Sequence, residues 1–141
     1  MSNLSELDPN ISLLTWGITV SEMQELNNKY PQCVLFYNTK PYPYLCIDNI
    51  CVNNFVGDCG TLYINSANNA NDYSLALLAE FASLSGFSNI LATVCSKNPE
   101  FIINMFLNRG WRIVKNSKSN RNPEKEHYVL LLSIDCVHKG Y

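Results

Sequence analysis

Residues 90–111, ILATVCSKNPEFIINMFLNRGW, hold the two periodicities that decide this fold. The run ILATVC (90–95) is short, apolar and unbroken, the pattern of a strand buried on both faces in a parallel pairing. Asn98, Pro99 and Glu100 then supply a helix cap, a first-turn proline and an early acid, each suited to the unpaired N–H groups of a helix start. Ile102, Ile103, Phe106 and Leu107 form the apolar stripe that follows. Gly110 ends it, since glycine enters left-handed backbone without steric cost.

Upstream, Leu75, Leu78, Ala79 and Ala82 share one helical face, with Leu77, Phe81 and Leu84 beside it. Asn71 or Asp72 is the N-cap of this helix, and Gly86, followed by Phe87, closes it. Residues 61–65 (TLYIN) read as a strand before it, so strand, helix and strand make a right-handed βαβ unit. Downstream, residues 111–114 and 127–134 are strands joined by a polar stretch, 115–126, holding Lys115, Lys118, Arg121 and Lys125. That stretch is either a solvated hairpin loop or a site for an acidic partner.

In the first half, residues 11–18 (ISLLTWGI) read as a strand. Thr19 and Glu22 have capping-box spacing, with Ser21 and Gln24 as a second register, for a helix running to about Lys29 before Pro31. Residues 33–37 (CVLFY), 44–47, 50–52 and 61–65 make an antiparallel meander, with a proline-rich break at 40–44 and a hairpin turn at Asp48 and Asn49. With 141 residues, 47% of them hydrophobic, the expectation is one domain over 1–141, its halves meeting near residue 65. The class is α/β in the α+β sense: a central mixed, mostly antiparallel sheet with one parallel βαβ step and about three helices.

Charge and composition exclude several functions. Ten Lys and Arg against twelve Asp and Glu leave no basic excess for a phosphate backbone, which argues against a nucleic-acid binder. No apolar run approaches a membrane span and no export signal opens the chain, so a soluble, cytoplasmic protein is expected. Cys33, Cys46, Cys51, Cys59, Cys95 and Cys136 sit mostly in apolar strand-like runs and read as buried thiols. Cys46 and Cys51 are the nearest pair, while His127 and His138 lie far off, so no metal site is expected. Asparagine outnumbers leucine, a bias that accompanies AT-rich coding and leaves a bacterial or phage origin open.

Residues 96–111 (SKNPEFIINMFLNRGW) resemble the segment of the GNAT acyl-CoA N-acyltransferase family in which a strand ends at an asparagine and a helix then ends in glycine plus an aromatic. With the hairpin after it, the order of elements over about residues 60–135 is similar to the family's C-terminal half. The resemblance implies a GNAT-like fold that moves an acetyl group from acetyl-CoA, its implied cofactor, to an amine. It implies a cofactor-binding turn at Asn65, Ser66, Ala67, Asn68, Asn69, Ala70, Asn71, Asp72, Tyr73 and Ser74, with Asn98 near the pantetheine arm.

Several positions depart from the family pattern. The glycine-rich Q/R-x-x-G-x-G/A cradle falls on SANNANDY (66–73), which has no glycine and no basic residue. Asp72 there brings a carboxylate to a helix start, or serves as an ordinary cap. The family's tyrosine acid, four residues before Gly110, falls on Phe106, which has no proton to give, and the family asparagine falls on Pro99, one residue from Asn98. Tyr63, Tyr73 and Cys95 remain as catalytic candidates, though their first reading is core packing, and Asp48 and Asp58 are bases or plain turn formers. Residues 44–63, with GDCG at 57–60, also resemble the small GNAT-like internal virion proteins of short-tailed phages. That likeness implies a second expectation: a structural or interaction protein without cofactor, in the host cytoplasm or the virion. It would meet a protein partner or another copy through Tyr37, Tyr42 and Tyr44 or through residues 115–126.

Overall fold

The computed structural model describes residues 2–3, 12–13, 18–38, 44–48, 50–53, 60–64, 67–118 and 121–134. In chain order the elements are β1 (Ser2–Asn3), β2 (Ser12–Leu13), β3 (Ile18–Thr19), α1 (Val20–Lys29), β4 (Leu35–Asn38), β5 (Tyr44–Ile47), β6 (Ile50–Asn53), β7 (Thr61–Ile64), α2 (Asp72–Leu84), β8 (Asn89–Ser96), α3 (Glu100–Asn108), β9 (Arg112–Lys118) and β10 (Glu126–Ser133).

Local signals account for most boundaries. At the start of α1 the Thr19 hydroxyl accepts the Glu22 N–H and the Glu22 carboxylate accepts the Thr19 N–H, so the Thr19 register is the one used. The helix buries Val20, Met23 and Leu26. Both α2 and α3 end in a glycine with positive φ, Gly86 at 86° and Gly110 at 89°. Each end closes in the same way: Phe87 N–H donates to Ala82 and Gly86 N–H to Ser83, while Trp111 N–H donates to Phe106 and Gly110 N–H to Leu107.

Other expectations are corrected. Residues 11–18 are not one strand: β2 and β3 pair antiparallel with each other, so the chain reverses between them. An apolar run reports burial without saying where the backbone turns. β4 begins at Leu35 rather than Cys33, because Val34 is instead tied to the β5–β6 turn: its N–H donates to Asp48 Oδ1 at 2.7 Å and its carbonyl accepts the Asp48 N–H at 2.9 Å. Asp48 holds φ 49°, a left-handed conformation that Asp tolerates. Asn98 does not cap α3; Pro99 occupies that position already in helical φ and ψ, and its carbonyl closes the first turn with the Ile103 N–H at 2.9 Å. β9 runs on to Lys118, which places residues 115–118 in a strand rather than in a loop. The proline-rich segment 40–43, Asn49 and residues 57–59 lie outside the described residues.

Among the described residues eight strands form one sheet in the order β1-β4-β5-β6-β7-β8-β10-β9. The β7–β8 step is parallel, from Thr61 opposite Asn89 to Ile64 opposite Ala92, and the other steps are antiparallel. The chain is therefore α+β, with a mixed, mostly antiparallel sheet, one parallel step around α2, and three helices among the described residues.

Ile90, Ala92 and Val94 of β8 are fully buried, together with Leu62, Ile64 and Leu130 on neighbouring strands. Leu91, Thr93 and Cys95, which point the other way, are half-buried, so β8 is buried on one face and not on both. The reason is where the helices gather. Lys29 Nζ at the end of α1 lies 2.6 Å from Glu80 on α2, and Arg109 Nε after α3 lies 3.2 Å from Asp72 at the start of α2. Gly110 sits against Leu132, which shares the Leu130 side of β10. Among the described residues no helix is long and apolar enough to cross a membrane.

Candidate functional site

The parallel step lets one strand outrun its neighbour inside the sheet. β7 pairs with β8 as far as Ala92, but β8 continues to Ser96. Residues Ala67–Asn69 form a single 3₁₀ turn beside the end of β8, with Ala67 buried. Asn68 then reaches across: its carboxamide N–H donates to the Cys95 carbonyl at 3.0 Å and its Oδ1 accepts the Cys95 N–H at 2.9 Å. One side chain thereby meets both backbone groups that another strand residue would otherwise pair.

Three residues later the chain enters α2 through Asn71, which is the cap; Asp72 is the first helical residue. Asn71 Oδ1 accepts the N–H groups of Tyr73 at 2.9 Å and Ser74 at 3.0 Å. The fully buried Ser74 hydroxyl accepts the Asn71 N–H and donates to the Asn71 carbonyl. Asparagine and serine three apart thus satisfy each other and two of the four donors that a helix start leaves open. The Asp72 carboxylate stands exposed at the same helix end, paired with Arg109.

No protein-family model matches the chain, and no curated protein matches it significantly.

The remaining site candidates do not converge. Tyr63 is half-buried on β7 opposite Leu91, and Cys95 lies four residues further along β8, about 13 Å away at ~3.3 Å per residue. Tyr73 is 49% exposed on the first turn of α2. Phe106 is fully buried, its ring perpendicular to that of Trp111 with centroids 4.9 Å apart, which makes it part of the lock that ends α3. Asn98 is exposed and donates its N–H to Ser96 Oγ at 3.2 Å. Of the cradle residues, Ala67 and Ala70 are buried and Asn69 is exposed, while Asn65 and Ser66 lie outside the described residues, as do Asp58 and Tyr42.

The Asn68 contact with Cys95 could not be read from spacing, because its partners are 27 residues apart and the only cue is an asparagine in a polar turn. Among the described cysteines, Cys33 and Cys46 are buried and Cys95 is half-buried, each outside any disulfide. Burial, aided by the Asp48 carboxylate, pushes the Cys33 thiol up to about 11. At pH 8 its thiolate fraction is then about one hundredth of that of an ordinary thiol, and its alkylation by iodoacetamide in the folded protein should be slower by at least that factor. Peptide mass spectrometry against the urea-unfolded chain measures this; equal rates would contradict the burial.

Proposed function

We propose that this chain is a GNAT-like domain serving as a non-catalytic interaction protein, in a host cytoplasm or a virion, and that it does not move acetyl groups from acetyl-CoA. The observation that carries this reading is the closed N-terminus of α2. A pyrophosphate needs free N–H donors and no fixed negative charge at a helix start. Here the Tyr73 and Ser74 donors are held by Asn71, and Asp72 adds a carboxylate. The residues present do not fit acetyl-CoA: a phosphate would have to displace the cap, at about 1 kcal/mol, and then meet Asp72. The backbone of Cys95 near the end of β8 is likewise already bonded by Asn68.

The acetyltransferase reading draws on a different observation. β7, α2 and β8 form the parallel unit, α3 follows, and the β9–β10 hairpin lays β10 directly against β8. This is the order of elements on which the GNAT resemblance rests. Calorimetry with acetyl-CoA and desulfo-CoA decides between the two. The expected result is no binding heat at millimolar ligand; micromolar affinity that weakens on Asn69→Asp, a further carboxylate in the same turn, would overturn the non-catalytic reading.

A further inference from the structure

β9 ends the sheet, and among the described residues no strand lies beyond it. All seven of its residues are exposed, including Ile113 at 42% and Val114 at 46%. The register shows which of its backbone groups face outward. Cys95 turns its N–H and carbonyl toward Asn68, away from β10, so by alternation Val94 faces Tyr128 and Val129 faces Lys115. Asn116 and Lys118 then point their N–H and carbonyl away from β10, open to a further strand. A bulge at Val114, which has no opposite residue on β10, marks one end of this regular stretch.

Charge distinguishes this edge from the rest of the molecule. Six of the chain's ten Lys and Arg fall between Arg109 and Lys125, with Glu124 the single acid among them. Glu124 is taken by Lys97 at 2.9 Å and Arg109 by Asp72 at 3.2 Å. Arg112, Lys115, Lys118, Arg121 and Lys125 form no ion pair among the described residues, and Glu126, opposite Lys118 in the ladder, makes none with it. Three of these cations, Arg112, Lys115 and Lys118, lie on the edge strand and two, Arg121 and Lys125, in the connection that follows it, in a chain whose net charge is -2.

We propose that β9 takes up an extended acidic segment of a partner protein as an additional strand, an inference that rests on reading the domain as an interaction protein. Backbone pairing at Asn116 and Lys118 holds the segment, and its carboxylates meet Lys115 and Lys118, which stand on opposite faces of the ladder. The same cations select against the simplest competitor. Two copies joined edge to edge would set Lys and Arg against Lys and Arg, which is unfavourable for directly opposed residues.

The test is fluorescence anisotropy with a labelled ten-residue peptide repeating Glu-Glu-Val, which sets carboxylates on both faces of the added strand. The expected result is binding at low salt that weakens at least tenfold when glutamine replaces glutamate and at least tenfold in the Lys115→Gln, Lys118→Gln double variant, which sets no like charge opposite Glu126. Because both side chains are exposed, that variant should keep its urea midpoint, and hydrogen exchange of the Asn116 and Lys118 amides should slow on binding. Equal affinity for the glutamine peptide, equal affinity for an acidic peptide interrupted by proline, tighter binding of a DNA duplex, or no binding at millimolar peptide each overturns the proposal. Peptide failure together with absent acetyl-CoA heat removes β9 alone and leaves the non-catalytic reading in place; acetyl-CoA heat removes that reading, and the peptide then decides the edge by itself.

Discussion

Phe106→Ala should destabilise the protein by about 3 to 5 kcal/mol, the cost of emptying a fully buried phenyl site. The ring has no exposed surface and packs edge to face with Trp111, while its own carbonyl accepts the Trp111 N–H. On α3 only Ile103 and Phe106 are buried, with Ile102 and Met105 half-buried against the core beside them, so the change removes the largest buried side chain that docks that helix. For a domain near this size the melting temperature should fall by roughly 10 °C. Phe101→Ala on the same helix is the control: at 84% exposure its effect should stay within about 0.5 kcal/mol. Phe106→Tyr sets the GNAT tyrosine into this chain, yet buries a hydroxyl where a phenyl edge now packs, and should cost about 1 to 3 kcal/mol with no acetyl transfer gained. Urea unfolding reads all three; a Phe106→Ala loss below about 1 kcal/mol would mean that the ring does not lock α3.

Asn68→Ala should cost about 0.5 to 1.5 kcal/mol, because it removes the partner of both the N–H and the carbonyl of Cys95 at a site that water reaches. Exchange of the Cys95 amide should quicken more than that of Val94, whose groups face β10. Asn68→Asp separates the two bonds. Its carboxylate can accept the Cys95 N–H but sets a negative charge against the Cys95 carbonyl, so at neutral pH it should be no better than Ala. Once protonated, the introduced carboxyl group can donate again, which raises its folded pKa above the unfolded value. The recovered stability is therefore full below the unfolded pKa and is lost as pH rises through the folded one. An Asn68→Asp variant equal to the native chain at pH 7 would show that the carbonyl bond contributes nothing.

The ends of the helices were legible in the residues alone because their signals act within one turn. The capping pair Thr19 and Glu22, and the glycines Gly86 and Gly110, meet partners three to five residues away, so spacing suffices. Asn98 illustrates the limit: an Asn-Pro-Glu series announces a helix start, but Pro99, already in helical backbone, takes the cap position, and no side chain caps there. The candidate site was legible only as a location. Residues 66–74 were marked as the turn before α2, yet whether its donors were open depended on where Asn68 and Asn71 turned their carboxamides.

By itself the sequence determined the α+β class, the parallel step around α2, the two glycine stops and the absence of glycine from the cradle turn, all consequences of local periodicity and backbone freedom. The tertiary structure alone decided that β2 and β3 pair antiparallel with each other, that β8 is buried on one face, that Lys29 meets Glu80 across 51 residues, and that Asn68 bonds the backbone of Cys95. It also carried β9 on through residues 115–118, which the sequence had read as loop, and set it at the end of the sheet among the described residues. Such outcomes turn on which distant surfaces exclude water from each other, a sum over the whole core that no single window of sequence contains.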